Sequence, residues 1–520
     1  MVEHTTSKAD RYSCRETMRP NILLITLDQF RADALGVAGG VVETPHLDFL
    51  ARQGVRFSRH YSQSAPCAPG RASLYTGMYQ MNHRVVFNGT PLDERFDNLA
   101  RLGQRAGYEP TLFGYTDQAL DPRATNNPND PRLFSYEGVL PGFICALDLV
   151  GAQTPWLEHL ARNGFDSPLA QRGDAAEVSS GALSALGAAA LRGESERPEE
   201  LSISAFLTDH LCDWLDSRSD PWFAHASYMR PHPPYAAAGA WSKYYDLSAM
   251  ELPISPALET HPFHAMAMKT SYMKTSLDDD EQRFIKSQYY GMISEVDSQL
   301  KRVWAKLQEL NAWDDTVIIL TSDHGDQLGD HGLQDKGGYF EESYHIPAIV
   351  RDPSNPQAHG SVVDRFTENV DIFPTIAELL NVPVPLQCDG RPLTSFLRGD
   401  TPPDWRQGAS WEFDWRALFI NDEADGACQN WPADRTLESQ NLAVYRNTDA
   451  AYVQFGDGSW IAFDLVADPT WRTTITDPTQ VLSLAQDMLA WRAQNTERTL
   501  SGMLIRDGGV GRWPEGVSWH

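Results

Sequence analysis

The 520-residue sequence predicts an α/β fold: a large, mostly parallel sheet flanked by helices, with a smaller C-terminal α+β domain containing an antiparallel sheet. Three observations carry this reading. Two runs rich in β-branched residues, NILLITLDQ (21–29) and TVIILTSDH (316–324), are continuously apolar until they end in Asp and a polar residue. Unbroken apolarity over that length is what a strand covered on both faces requires. Segments with helical periodicity lie between and around them, and strand–helix alternation is the α/β pattern. Beyond about residue 400 the texture shifts to short alternating segments, as antiparallel strands show.

Taken in order, residues 1–20 form a charged N-terminal extension with no apolar segment, so no secretion signal is expected. Residues 21–400 make the main domain. Its helical patterns are TPHLDFLARQG (44–54), FDNLARLGQRAGY (96–108) and QYYGMISEVDSQLKRVWAKLQEL (288–310). The last sets Ile293, Val296, Leu300, Val303 and Leu307 on one face. Residues 122–205, with NNPNDPR, a Gly/Ala-rich patch and RGESERPEE, are expected to be an insertion over the sheet's edge, part of a substrate lid. Residues 401–520 form the C-terminal subdomain and tail. ASWEFDW, NLAVYRN and AAYVQFGDGSWIAFDL read as strands, with a hairpin turn at 456–459. A closing helix follows at 478–495, and then an irregular tail.

Apolar residues at 42% and aromatics at 10% are globular values. The formal charge of −27 speaks against nucleic acid or an anionic membrane as the main partner, since both demand clustered Lys and Arg. No apolar stretch reaches the length of a membrane span, and the Ala-rich 181–191 is too short. The six cysteines are scattered without pairing or zinc-type spacing, which points to a reducing compartment and a cytoplasmic address.

Ligands of open α/β sheets bind beyond the carboxyl ends of the strands. Asp28 and Asp323 stand at two such ends. If the strands are neighbours, the two carboxylates converge, and like charges do so around a cation. Gln29 adds a neutral oxygen and His324 an imidazole nitrogen, a donor set that suits Mn²⁺, Mg²⁺, Ca²⁺ or Zn²⁺. Cys67, in SAPCAPGRASLYTG (64–77), lacks the C-x5-R spacing of a cysteine phosphatase: position 73 is Ser and the arginine is Arg71.

The pattern C-x-P-x-R followed by ASLYTG, some forty residues after a strand-end Asp, resembles the type I sulfatases of the alkaline phosphatase superfamily. The resemblance runs through NILLITLDQFRADALG, TPHLDFLARQGVRF, TSDHGDQLGDHGL and ENVDIFPTI, most of residues 20–400. MNHRVVFN (81–88), FGYTD (113–117), YMRPHPPY (228–235) and KGGY (336–339) resemble the arylsulfatase and phosphonate monoester hydrolase branch. The resemblance implies an alkaline-phosphatase-like fold and a catalytic domain over residues 21–400. It also implies Cys67 oxidised to Cα-formylglycine by a formylglycine-generating enzyme during maturation. Asp28, Gln29, Asp323, His324 and the modified residue 67 would then hold a single divalent ion, Ca²⁺ or Mn²⁺. Arg71 would orient the hydrated aldehyde, and His232 and Lys336 would steady the transferred group and the leaving oxygen. Asn88 and Tyr115 are candidate contacts to the transferred group.

The activity so implied is hydrolysis of small anionic esters: sulfate esters, phosphonate monoesters and phosphodiesters. The competing readings are a metal-dependent phosphatase or mutase with an unmodified nucleophile, and a catalytically inactive binding or scaffold homologue. A homo-oligomer, dimer or tetramer, is expected, with the C-terminal tail available to wrap a neighbour. One departure stands out. Related sequences tend to carry a hydroxyl residue after GYT, whereas position 117 is Asp, a carboxylate that would repel an anionic substrate unless neutralised or turned outward, and that fits a substrate with a cationic leaving group.

Overall fold

The computed structural model describes residues 19–151, 153–165, 196–270, 272–276, 278–416 and 439–497, with the backbone of 503–506 and 509–512. Strand β1 (Asn21–Leu27) is the first apolar run, and every side chain from Ile22 to Leu27 is fully buried. Alternation divides them between two cores. Leu23, Ile25 and Leu27 pack on one face of the sheet with Ile293, Val296, Leu300, Val303 and Leu307. Ile22 and Leu24 pack on the other with Ala68, Ala72 and Tyr75. A central strand apolar on both faces is stable only when helices cover both, and here they do.

The main sheet has eight strands: β1, β2 (Val55–Tyr61), β3 (Thr111–Gly114), β4 (Ile144–Asp148), β5 (Phe223–Tyr228), β6 (Thr316–Thr321), β7 (Ala348–Arg351) and β8 (Val362–Glu368). Their order is β4-β3-β5-β1-β6-β7-β2-β8. β1 runs parallel to β5 and to β6, with Leu27 opposite Tyr228 and Thr26 opposite Thr321. Only β7 runs against its neighbours. The carboxyl ends of β1, β2, β3, β5 and β6 therefore share one edge, and the two matching Asp-terminated runs are adjacent, as the sequence predicts.

The expected helices form, with shifted ends. Residues 44–54 give α1 (Pro45–Arg52). Cys67–Thr76 is α2. Within 96–108 the helix is confined to α3 (Leu99–Arg105), because the Asn98 side chain accepts from the Arg101 N–H and caps it there. The helix expected at 288–310 starts earlier, as α4 (Asp279–Glu309). Asp278 caps it, and the acidic first turn Asp279, Asp280 and Glu281 suits the positive end of the helix dipole. Apolar periodicity is blind to such a polar start.

The segment 122–205 does more than cover an edge: it supplies β4, the edge strand bonded to β3. Its Ala-rich stretch 181–191 lies outside the described residues. Past residue 400, β9 (Gly408–Asp414), β10 (Asn441–Asn447), β11 (Ala450–Phe455) and β12 (Trp460–Asp464) form an antiparallel sheet in the order β12-β11-β10-β9. The turn at 456–459 joins β11 to β12, and α5 (Pro478–Gln494) packs Val481, Leu484 and Met488 against one face. The other face sets Trp411, Phe413, Phe455 and Phe463 against Phe263, Tyr339 and Phe340 of the main domain. The tail is not wholly irregular, for β13 (Met503–Arg506) and β14 (Gly509–Arg512) pair antiparallel. Among the described residues no helix is long and apolar enough to cross a membrane. Cys67, Cys145, Cys212 and Cys388 are free thiols.

Helix α2 approaches the end of β6 very closely. A Cβ on Gly70 would stand 2.6 Å from the Asp323 carbonyl oxygen and 3.0 Å from that of Ser64. Propensity alone favours Ala over Gly in a helix by about 1 kcal/mol. Here the clash with backbone, which cannot rotate away, reverses the sign. Gly70→Ala is expected to lower unfolding free energy by about 1–3 kcal/mol in denaturant titrations. A variant as stable as the parent would show that α2 does not depend on this approach.

Candidate active site

The shared edge collects the predicted side chains. β1 is followed by Asp28 and Gln29, and β6, after Ser322, by Asp323 and His324. The connection after β2 brings in Cys67 as the first residue of α2, where free backbone N–H groups favour a negative ligand. One of these, the Ala68 N–H, is taken by Asn88 Oδ1 at 2.9 Å. One turn into the helix, Arg71 lies fully buried beneath the cluster.

Arg71 is the organiser. Its Nη2 donates to Asp28 Oδ2 at 2.9 Å and its Nε to Asp323 Oδ2 at 3.0 Å, tying α2 to the ends of both strands. Nη1 donates to Ser227 Oγ at 2.8 Å, to Tyr75 Oη at 3.3 Å and to the Tyr115 carbonyl at 3.4 Å. The Tyr115 ring lies over the guanidinium, 4.4 Å from its centroid, and Tyr115 Oη donates to Asp28 Oδ2 at 2.6 Å. Every edge of the guanidinium is occupied by protein, so Arg71 positions groups that act and does not itself grip a substrate.

Asp28, Cys67, Asp323 and His324 each turn one donor atom to a common point, all within 4.8 Å of one another and all buried. Atoms bound to one ion at about 2.0–2.6 Å stand about 4–5 Å apart at most, so the spacing fits a single divalent cation. His324 is turned for this role. Its Nδ1–H donates to the Gly325 carbonyl at 3.0 Å, leaving Nε2 facing Cys67 Sγ at 3.2 Å. Burial would raise the Asp28 carboxyl, but the positive groups around it, Arg71 and Lys336 among them, outweigh it and hold the group below the usual carboxylate range. Burial, and then Asp28, push the Cys67 thiol well above its ordinary value, so the unmodified side chain is a poor nucleophile.

Lys336 and His232 meet on the other side of this cluster. Lys336 Nζ donates to His232 Nε2 at 2.8 Å and to Gln29 Oε1 at 2.9 Å, and lies 3.3 Å from Asp335 Oδ1. His232 Nδ1–H donates to the Pro233 carbonyl at 2.7 Å, so its Nε2 is the acceptor. Burial, reinforced by Lys336, depresses the His232 imidazole, while Asp335 overcomes burial to keep the Lys336 ammonium charged.

All the predicted residues are brought together, with differences of role. The Gln29 amide belongs to a network that the sequence reading missed. Its Nε2 donates to Asp326 Oδ2 at 2.8 Å and to Asp335 Oδ1 at 3.0 Å, which fixes Oε1 as the atom turned toward Lys336. Tyr235 Oη also donates to Asp326 Oδ2, at 2.7 Å, and burial pushes that carboxyl up to about 7. The signal was present in the chain: Asp326 is three residues past Asp323, and Asp335 directly precedes Lys336. Behind Lys336, Gly337 has φ +118°, and a Cβ there would lie 2.7 Å from the Phe413 ring of β9.

The sulfatase family model matches residues 20–382. A multifunctional alkaline phosphatase superfamily protein, PehA, of Trinickia caryophylli is 37% identical over 93% of this chain and 97% of that protein. An arylsulfatase of Clostridium perfringens is 27% identical over 75% of this chain and 81% of its own length. Among solved structures, the phosphonate monoester hydrolase of Agrobacterium radiobacter superposes with a TM-score of 0.85 at 38% identity, covering 95% of this chain and 99% of that one. The phosphonate monoester hydrolase from Silicibacter pomeroyi gives 0.81 at 33%, with the same coverage.

Removing the organiser tests this geometry. Arg71→Met would leave Asp28 and Asp323 buried without their shared cation, an expected loss of about 3–5 kcal/mol in unfolding free energy. Added Mn²⁺ or Ca²⁺ should raise the melting temperature of Arg71→Met by more than that of the metal-stripped parent. A loss under about 1 kcal/mol would mean that the carboxylates do not depend on Arg71.

Proposed function

The chain belongs to the sulfatase family, and on that premise we propose that it hydrolyses sulfate esters and phosphonate monoesters using one divalent ion and a Cα-formylglycine at position 67. The observation that carries the reading is Cys67 itself: the first residue of a buried helix, in a C-x-P-x-R sequence, with Asp28, Asp323 and His324 around its sulfur. Held by Asp28, Gln29, Asp323 and His324, Ca²⁺ or Mn²⁺ would supply Lewis acidity, and hydrated formylglycine a second hydroxyl through which the transferred group is released.

The chain's own residues do the rest. Arg71 holds Asp28 and Asp323 in place from below and fixes the turn of helix that presents residue 67. The amide of Gln29, clamped by Asp326 and Asp335, presents its oxygen toward the cluster. Lys336 is the proton carrier for the departing alcohol: its ammonium is charged and His232 Nε2 is its acceptor. Once the leaving oxygen has taken a proton from Nζ, His232 and Asp335 hold the amine in position. Asn88 is held next to residue 67 by the Ala68 N–H, and Tyr115 bonds Asp28.

Peptide mass analysis of active protein should show residue 67 as the aldehyde, lighter than a thiol by exchange of hydrogen sulfide for oxygen. An active preparation carrying only the thiol would overturn the mechanism. Elemental analysis should find about one divalent ion per chain, and chelation should abolish turnover, whereas two ions per chain would favour the phosphatase reading. Lys336→Met should cost about 10²-fold or more in kcat/KM for an alkyl ester and markedly less for a 4-nitrophenyl ester, whose alcohol leaves without a proton. Equal losses on both would remove Lys336 from proton transfer. With a common aryl leaving group, the sulfate and the phosphonate monoester should outperform the doubly charged phosphate monoester.

A further inference from the structure

The carboxylates of this centre fall into two groups. Asp28, Asp323 and Asp117 gather about Arg71, Asp117 Oδ2 at 3.4 Å from Nε. Asp326 and Asp335 meet instead at the amide of Gln29, whose Nε2 has one hydrogen for each. Asp326 is fully buried and accepts on both oxygens. Oδ2 takes the Tyr235 hydroxyl as well as Gln29, and Oδ1 takes the Leu328 N–H at 2.8 Å. Gln334 Nε2 in turn donates to Tyr235 Oη at 2.8 Å. A single carboxylate oxygen therefore joins the segment after β1, which carries Gln29, to the segment after β5, which carries His232 and Tyr235.

An amide can be seated either way round, and here charge decides which. The seating found puts Nε2 against two carboxylates and Oε1 against the Lys336 ammonium, at 2.9 Å. The reverse would set oxygen against both carboxylates and N–H₂, which only donates, against the ammonium. With both N–H groups in use, Oε1 is the one atom of the side chain left to act as a ligand. The Gln29 backbone N–H donates to Asp323 Oδ1 at 3.2 Å, which anchors the residue beside the ion site from its other end. Gln29 and Asp335 have φ of +67° and +65°, left-handed values that cost a non-glycine residue conformational energy. Two such residues joined by one hydrogen bond mark an arrangement imposed by the contacts around it.

We propose that Asp326 is a positioning residue for the ion: acting with Asp335 through Gln29, it makes position 29 a neutral ligand and fixes that ligand's oxygen on the ion. The inference rests on the one-ion hydrolase proposed above. The ion is part of the balance, since Oε1 answers to it and to Lys336, while Asp326 and Asp335 meet the Gln29 side chain only at its nitrogen. A carboxylate at position 29 would set its second oxygen, with no hydrogen to offer, against both. An amide at position 326 fails in a different way. Turned so that its oxygen accepts from Leu328, it presents N–H₂ to the N–H₂ of Gln29. Turned over, it presents N–H₂ to the Leu328 N–H. Neither orientation satisfies the donors that the carboxylate serves together.

The test measures the affinity of the metal-stripped, full-length protein for Mn²⁺ alone, by competition with a chelating dye. It compares the parent, Asp326→Asn, Gln29→Glu and the double variant. Asp326→Asn should weaken binding by about tenfold or more, the usual consequence of losing a residue that orients a ligand. In the Gln29→Glu background the same substitution should tighten binding, because its N–H₂ now meets an oxygen. An affinity that Asp326→Asn leaves unmoved in the parent overturns the proposal. So does any result in which it fails to tighten binding in the Gln29→Glu background, as a purely structural role or the loss of a distant charge would give. Gln29→Glu by itself should bind Mn²⁺ no more tightly than the parent, although it offers a charged oxygen. Tighter binding there overturns the proposal too, and this arm stands even where Asp326→Asn does not fold. A parent that binds neither Mn²⁺ nor Ca²⁺ would instead overturn the underlying one-ion reading.

Discussion

The buried contact of Arg71 with Asp28 and Asp323 is the constraint around which the rest of the molecule is arranged. Two carboxylates at adjacent strand ends repel, and in a dry interior that repulsion is severe. A guanidinium is the side chain suited to hold both, since it is planar, always charged and able to offer separate N–H groups to each. To deliver it, α2 has to approach the end of β6 until no Cβ fits at Gly70. The same placement puts the first residue of the helix, Cys67, directly over the carboxylates. Structural requirement and chemical arrangement are thus one and the same contact. Such pairs contribute little net stability when compared with an apolar core.

The parts of this arrangement that were legible in the sequence are those with a local signature. Continuous apolar runs ending in Asp identified β1 and β6, because burial on both faces leaves no room for polar alternation. The short spacing from Cys67 to Arg71 placed both on one side of a helix turn. Helix ends were less legible: Asn98 and Asp278 set them by single side-chain caps that periodicity does not register. The edge strand β4 was hidden because four of its five residues are exposed, so it lacks the apolar stamp of the central strands. The polar network around Gln29 was hidden for a different reason. Asp326, Asp335 and Tyr235 come from loops whose meeting depends on the whole fold, and a carboxylate in a loop usually faces water.

Three carboxylates about Arg71 and two about Gln29 also show how charge is distributed over this centre. Asp335 and Asp326 hold the neutral amide of Gln29, and an acidic residue at position 29 would have faced both. Asp28 and Asp323 share the single positive charge of Arg71. The negative charge of the chain as a whole, −27, says nothing of this balance, which is decided within a few ångströms.

The aromatic face of the C-terminal sheet gives a different kind of consequence. Phe413 stands where a side chain on Gly337 would be, directly behind the residue that carries the proton in the proposed reaction. The change of texture near residue 400 marks a boundary in architecture and none in chemistry. Any exchange of the C-terminal sheet for another, by recombination or by design, has to supply a flat ring at this one point or give up the conformation of the loop it supports.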